Sequence, residues 1–183
     1  MEIGLDSGGV ALKLETYQGA TELDAFEREL TPLLLPAYRL AYALLHDRGR
    51  AEDAVQDACL RAWDRRSSRR AGTPLRPWFL AIVSNRCRDV LRGRWSHVLL
   101  FAELGPLRET EAFDPAERLD IRRAIRSLPM KARLVIALRF YLDLPYEDIA
   151  SILGCSINAA KLRAGRAAAT LRSQLGAEEK HHG

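Results

Sequence analysis

The sequence lacks the features of a membrane or secreted protein. Apolar runs such as Val98–Ala102 are far too short to span a bilayer. No basic N-terminal stretch leads into an apolar segment, so a secretory signal is not expected. We therefore predict a cytoplasmic protein without membrane insertion.

Cysteine and histidine are too scattered to indicate a metal site or a disulfide framework. The three cysteines, Cys59, Cys87 and Cys155, are widely spaced, and no C-x-x-C pair occurs. An odd number of distant cysteines is typical of small buried apolar side chains in a reducing compartment. We predict no metal and no cofactor.

Charge is unevenly distributed along the 183 residues, although 48% hydrophobic and 28% charged residues indicate an ordinary globular protein. Residues 61–94 carry a net charge of +8, residues 101–120 a net charge of −4, and residues 121–183 a net charge of +6. Two basic blocks on either side of an acidic strip favour two nucleic-acid surfaces joined by a linker.

Helical periodicity dominates and no strand pattern occurs, which predicts an all-α protein with an N-terminal helical bundle and a C-terminal helix-turn-helix domain. The predicted segments are a loose leader (1–20), the first domain (21–95), a flexible linker (96–115), the second domain (116–176) and a tail (177–183). In the first domain, a helix opening near Thr21 meets Pro32 and Pro36. It either kinks there or restarts with Pro32 at its first position.

The helix-turn-helix prediction rests on the stretch after Pro145. An amphipathic segment starting at Tyr146 ends at Gly154-Cys155-Ser156, and a second helical pattern runs from Ile157 to Leu175 without any acidic residue. Gly154 suits a turn and Ser156 can cap the second helix. A basic second helix is typical of a major-groove reader. The alternative is an antiparallel helix pair with a solvated basic face.

The segment Ala51–Trp63 is a predicted helix with an acidic and amide face. Glu52, Asp53, Gln56 and Asp57 crowd its beginning, where the helix dipole favours negative charge. The same face is suited to docking a basic partner. The residues alone leave both interpretations open.

An arginine-rich loop follows, from Asp64 to Pro77, with five arginines that favour contact with a phosphate backbone. The next helix combines Trp78 and Phe79 with Asn85 and several arginines. Aromatic, amide and guanidinium groups together are suited to single-stranded or partly melted DNA. Alternatively, the tryptophan belongs to the core and the arginines form a solvated rim.

Three motifs in this order make the chain resemble the extracytoplasmic-function group of bacterial sigma factors, the promoter-recognition subunits of RNA polymerase. They are AEDAVQDACLRAW, then WFLAIVSNRCRDVLR, then LPMKARLVIALRFYLDLPYEDIASILGCS, and the resemblance runs from about Leu23 to Leu175.

The resemblance implies an alternative sigma factor, not an enzyme, that binds core polymerase and promoter DNA. Polymerase binding, at the clamp helices of the largest subunit, falls to Asp53, Gln56 and Asp57. Capture of unpaired minus-ten bases falls to Arg65, Arg66, Arg69, Arg70, Arg76, Asn85, Arg86 and Arg88. Recognition of the minus-thirty-five element falls to Ser156, Asn158, Lys161, Arg163 and Arg166. The linker matches a segment threaded near the RNA path, and an anti-sigma factor is a possible further partner.

The second helix departs from the family's usual Thr-Val-Lys-Ser-Arg. It has Ala159, Ala160 and Leu162 at the first, second and fourth of these positions, so a core side chain shrinks and two hydroxyls are missing. Ala81 also stands where arginine is frequent. We expect an unusual preferred promoter.

Two other functions compete with this interpretation. A helix-turn-helix regulator that works without polymerase would leave Ala51–Arg94 unexplained. A DNA-processing enzyme such as a recombinase would need an acidic metal triad or a nucleophile beside a base, and neither pattern stands out.

Overall fold

The computed structural model describes residues 7–93, 121 and 123–179, which form helices and turns without any strand. The predicted all-α class is therefore confirmed. The helices are α1 (Ser7–Leu45), α2 (Arg48–Asp64), α3 (Leu75–Gly93), α4 (Met130–Ile136), α5 (Tyr146–Leu153) and α6 (Ile157–Glu179). A 3₁₀ turn (Arg66–Ser68) follows α2 and a π-helical turn (Ala137–Tyr141) follows α4. The linker 96–115 lies outside the described residues.

Helix α1 corrects two expectations about the N-terminal part of the chain. It begins at Ser7, so the expectation of a loose leader is wrong for residues 7–20; residues 1–6 lie outside the described range. Good helix formers between Val10 and Glu15 outweigh the glycines on either side, because propagating a helix costs less than starting one. The helix also runs through Pro32 and Pro36, which excludes a restart at Pro32.

The chain divides into two compact units, residues 1–34 and residues 35–183. In the second unit, α2 and α3 pack against each other, α3 also packs against α5, and α6 packs against both α4 and α5. The two predicted helical domains thus touch each other within one unit. Their boundaries at residues 21–95 and 116–176 remain predictions.

Small residues explain the close approach of α2 to the core. Ala51, Ala54, Ala58 and Ala62 are all essentially inaccessible to solvent, and they recur along one face of the helix. Asp47 caps the beginning of α2 by accepting a hydrogen bond from the Arg50 amide (2.9 Å). Asp47 therefore fixes where α2 begins.

The guanidinium of Arg133 joins the end of α1 to the C-terminal helices. Its Nη1 donates to the carbonyl of Leu44 (2.9 Å). Its Nε donates to Ile125 (3.2 Å), and its Nη2 donates to Arg126 (2.5 Å) and Leu128 (3.2 Å). Leu44, Ile125 and Arg126 lie in the last turns of helical segments, where the dipole is negative, and Leu128 follows directly after one of them. Within the described part of the chain, main-chain carbonyls are thus the partners of this part-buried cation, and no carboxylate pairs with it.

His46 ends α1 beside this guanidinium. It adopts a left-handed conformation (φ 55°), and its amide donates to the carbonyl of Tyr42 (2.8 Å). Burial, together with the positive charges of Arg133 and Arg126, lowers the pKa of His46 from 6.5 to about 4. The imidazole is therefore neutral at pH 7.

The predicted helices of the C-terminal part are found where the structure describes them. The sequence also predicts a helix that begins at Asp114, as its cap, and ends at Ser127; it lies mostly outside the described residues, but 123–127 are helical. The sequence predicts a further helix from about Met130 to Tyr141. It is present, and its last turn is widened into a π-helix by the bond from the Leu142 amide to the Ala137 carbonyl (2.9 Å). Among the described residues, no helix combines the length and apolarity needed to cross a membrane.

We predict that His46 makes the free energy of unfolding fall in acid. Its pKa is lower in the folded chain than in the unfolded chain, so the unfolded chain binds more protons between about pH 4 and 6.5. This contribution is complete above pH 6.5 and falls by roughly 1–3 kcal/mol as the pH approaches 4. Urea unfolding at several pH values measures it.

The control is His46→Gln, which keeps a neutral polar side chain and cannot titrate. Subtracting its pH profile from that of the wild type removes the contribution of the carboxylates. Identical profiles for the two proteins would contradict the prediction.

Candidate nucleic-acid interface

The outer face of α2 carries the three residues expected to bind polymerase, but they are not equally available. Asp53 and Gln56 are exposed. The Asp57 carboxylate lies 2.5 Å from the Arg86 guanidinium on α3, and the two side chains are 41% and 29% exposed. Leu60, one turn further along, is 66% exposed and was not singled out from the sequence. Leu60 lies on the side of α2 opposite the buried alanines, so the apolar periodicity does not mark it.

The Asp57–Arg86 pair joins two residues that had been assigned to different partners. Asp57 was expected to bind polymerase and Arg86 to bind minus-ten DNA. A second pair, Arg61 with Asp89 (3.8 Å), crosses the same helix interface with the charges reversed. Both pairs follow from the packing of α2 on α3, because the paired residues are 28 or 29 positions apart in the sequence.

The arginine-rich loop is organised by its own aromatic neighbours. The Arg66 guanidinium lies 3.6 Å from the centre of the Trp63 ring and donates to the Trp63 carbonyl (3.0 Å). The Arg69 guanidinium lies 5.9 Å from the centre of the Trp78 ring and donates to Thr73 (3.4 Å). Cation–π contacts of this kind hold both guanidinium groups at the surface.

The remaining residues expected at the minus-ten element differ in exposure. Arg65 ends α2, and Arg70 and Asn85 are exposed. Arg88 is part-buried, and its Nε has no hydrogen-bond partner within the described part of the chain. Arg76 donates to the carbonyl of Leu142 (3.4 Å), so it contacts the C-terminal helices.

The predicted helix-turn-helix is present, with its turn at the predicted residues. Gly154 follows α5 in a left-handed conformation (φ 60°, ψ 46°). The Cys155 amide donates back to the Ala150 carbonyl (3.0 Å), which satisfies one of the last carbonyls of α5. The Ser156 hydroxyl accepts from the Ala159 amide (3.2 Å) and caps the start of α6.

Helix α6 presents most of the predicted DNA-contacting residues on its solvent side. Asn158, Lys161 and Arg166 are exposed and fall on one side of the helix. Arg163 is also exposed, but it lies about 140° around the helix axis from Asn158, toward the edge of the packed face. Ala160 is completely buried, which agrees with its expected core position.

Lys161 is held near the first helix of the motif. Its ammonium lies 5.8 Å from the centre of the Tyr146 ring at the start of α5. The Arg139 guanidinium lies 5.4 Å from the same ring and pairs with Asp143 (2.8 Å). The hydrogen bonds that Arg139 donates to Tyr146 and Asp143 raise the pKa of Arg139. A connected set of side chains thus links both helices of the motif to the preceding π-turn.

Family models match both helical groups. Residues 30–97 match the model described as Sigma-70 region 2, and residues 118–171 match the model described as Sigma-70, region 4. The first match covers α2, the arginine-rich loop and α3. The second covers the helix-turn-helix and most of α6.

Three similar proteins cover most of the chain. RNA polymerase sigma factor SigV of Bacillus subtilis is 30% identical over 142 residues, which are 78% of this chain and 86% of SigV. ECF RNA polymerase sigma factor EcfG of Rhodopseudomonas palustris is 30% identical over 154 residues, covering 79% and 84%. The sigma factor RpoE in complex with the anti-sigma factor NepR from Bartonella quintana has a similar structure, with a TM-score of 0.70 and 28% identity over 83% of this chain and 97% of that one.

We predict opposite effects of alanine at two glycines of the motif. Gly154→Ala should lower the free energy of unfolding by about 1–2 kcal/mol, because a Cβ disfavours the left-handed conformation. Gly165→Ala, inside α6 and with nothing within 4 Å of the added Cβ, should raise it by about 0.5–1 kcal/mol. Urea unfolding of both variants checks this. Shifts in the same direction would contradict it.

Proposed function

The chain belongs to the extracytoplasmic-function group of the sigma factors of bacterial RNA polymerase, and we propose which of its surfaces carries out each step of initiation. An alternative sigma factor joins core polymerase, recognises promoter DNA and starts transcription. The observation that carries the assignment is the region 2 match followed by the region 4 match along one chain. Sigma factors are non-catalytic, and we expect no catalytic activity and a cytoplasmic location.

The exposed side of α2 is the proposed polymerase-binding surface. Asp53 and Gln56 contribute an accessible carboxylate and amide. Asp57 contributes a carboxylate that already has a partner in Arg86. Docking to the clamp helices of the largest subunit through Asp57 therefore requires that this carboxylate be shared with Arg86 or released from it.

The arginine-rich loop and the following helix are the proposed minus-ten surface. Exposed Arg70 and Asn85 are free to contact DNA directly. The guanidinium groups of Arg66 and Arg69 lie over the rings of Trp63 and Trp78, respectively, and add positive charge beside them. Arg65, Arg76, Arg86 and Arg88 complete the proposed set, although Arg76 and Arg86 have intramolecular partners in this structure.

The solvent side of α6 is the proposed reader of the minus-thirty-five element. Its beginning, with Asn158 and Lys161, is placed to reach base edges, as the first residues of a recognition helix usually do. Arg166 and Arg163 lie further along and are suited to phosphate. Ser156 fixes the start of the helix through its cap.

Promoter binding requires the two helical groups to separate. The two elements lie about 25 base pairs apart by their names, which is about 85 Å of B-DNA at ~3.4 Å per base pair. Packed helices lie only about 8–10 Å apart, and α3 packs directly on α5. We propose that joining core polymerase opens this contact.

The resemblance to a sigma factor bound by NepR also supports an anti-sigma factor as a regulator of this chain.

We predict that Asp53→Ala, Gln56→Ala and Asp57→Ala together abolish binding of core polymerase. Because Asp57→Ala also leaves Arg86 without its carboxylate, the double variant Asp53→Ala with Gln56→Ala is measured as well and should weaken binding in the same direction. Pull-down of core enzyme, with helicity followed by circular dichroism, measures the effect. Asp64→Ala, at the other end of α2, is the matched control. Normal pull-down by a folded triple variant would rule out this surface and favour a regulator that works without polymerase.

We predict that Asn85→Ala impairs strand opening more than duplex binding, because Asn85 should meet bases only after the strands separate. Permanganate reactivity of promoter thymines reports opening, and filter binding of the same holoenzyme to the closed duplex is the internal control. Unchanged thymine reactivity in the variant would remove Asn85 from the proposed site.

We predict two separable effects on α6. Asn158→Ala or Lys161→Ala should relax preference at specific upstream positions, at about 1–3 kcal/mol per lost base contact. Arg166→Ala should weaken all promoters similarly and lower the salt slope by about one unit. Transcription from a promoter library by holoenzyme at two salt concentrations distinguishes them, with Ser173→Ala as the control further along α6. The reverse pattern would show that the proposed docking orientation is wrong.

A further inference from the structure

The centre of the solvent side of α6 is occupied by a leucine. Leu162 is 55% exposed. It lies about 160° around the helix axis from the buried residues Ala160 and Ala164. It therefore points away from the core, toward the surface that the proposed function assigns to DNA.

The neighbours of Leu162 on this side leave it uncovered. Asn158, one turn earlier, and Arg166, one turn later, are exposed polar residues. Gly165 lies beside it with no side chain and nothing within 4 Å of the place where a Cβ would be. A single exposed leucine is ordinary on a protein surface, but this one protrudes beside a gap on a helix side whose charged neighbours are all basic.

The base edges of the major groove offer such a side chain few favourable contacts. Most of their groups are hydrogen-bond donors or acceptors, and burying one against a leucine leaves it unpaired. The exception is the C5 methyl group of thymine, which apolar side chains contact in recognition helices. Charge complementarity between α6 and DNA, from Lys161, Arg163 and Arg166, brings the leucine into the groove.

We propose that Leu162 is a specificity-determining residue that contacts a thymine methyl group in the minus-thirty-five element. This inference rests on the proposed function of α6 and adds the chemical group that is read. The leucine stands between Asn158 and Arg166, so the thymine lies between the base that Asn158 reads and the phosphate that Arg166 contacts. Leucine has no hydrogen-bonding group, so apolar contact is what it contributes at this position.

The experiment uses holoenzyme and the best promoter from the library transcription assay. Each thymine of the upstream element, on either strand, is replaced singly by deoxyuridine, which pairs identically but lacks the methyl group. Burial of one methyl-sized group is worth about 0.8 kcal/mol, or about fourfold in binding. We expect one uridine substitution to weaken wild-type binding about fourfold, and the same substitution to have no effect on Leu162→Ala.

The uridine substitution changes only the DNA, so its effect on the wild type does not depend on the folding of any variant. Leu35→Ala, an equally exposed leucine on α1, is the matched protein control and should keep full sensitivity to uridine. The melting temperature of Leu162→Ala should equal or exceed that of the wild type, because the side chain is exposed.

The outcomes separate this inference from the proposed function. If Asn158→Ala and Lys161→Ala relax preference but no uridine substitution matters, or if Leu162→Ala remains as sensitive as the wild type, the role of Leu162 is overturned alone. A best promoter without thymine in the upstream element has the same consequence. If Asn158→Ala and Lys161→Ala leave preference unchanged, the proposed function of α6 fails.

Discussion

The Arg133 guanidinium is the contact on which the arrangement of the second unit depends. It donates to the carbonyls of Leu44, Ile125, Arg126 and Leu128, which end two different helical segments. Burial lowers the pKa of Arg133, and the negative ends of the helices stabilise its charge. The end of α1 is thereby attached to the helices that precede the helix-turn-helix. The packing of α3 on α5 and the bond from Arg76 to Leu142 extend the same association.

Local structure that depends on residues close together in the sequence could be predicted from the sequence. The helix-turn-helix is the clearest case, because Gly154 and Ser156 act within one turn of their own positions. The start of α1 could not be predicted, since it depends on helix propagation past glycines that locally favour a break. The pairing of Asp57 with Arg86 was also inaccessible, because it depends on how two helices pack.

Hydrogen bonds and ion pairs within the chain, and not residue type, separate the candidate site residues. Asn85, Asn158, Lys161 and Arg166 are accessible, as their predicted roles require. Arg76 and Arg86 have the expected chemistry, but they are engaged within the chain. A pattern of arginines indicates affinity for phosphate without saying which guanidinium groups already have partners, and that distinction needs the tertiary structure.

The hydrogen bonds of Arg133 make the acceptor positions more tolerant of substitution than the donor position. All four are main-chain carbonyls, which every amino acid carries, so substitutions at positions 44, 125, 126 and 128 do not remove an acceptor. The donor, in contrast, is a single side chain whose planar fork lysine does not reproduce. Substitutions at the four acceptor positions therefore preserve these hydrogen bonds, whereas substitution of Arg133 alone removes all of them. A salt bridge differs, because substitution of either partner breaks it.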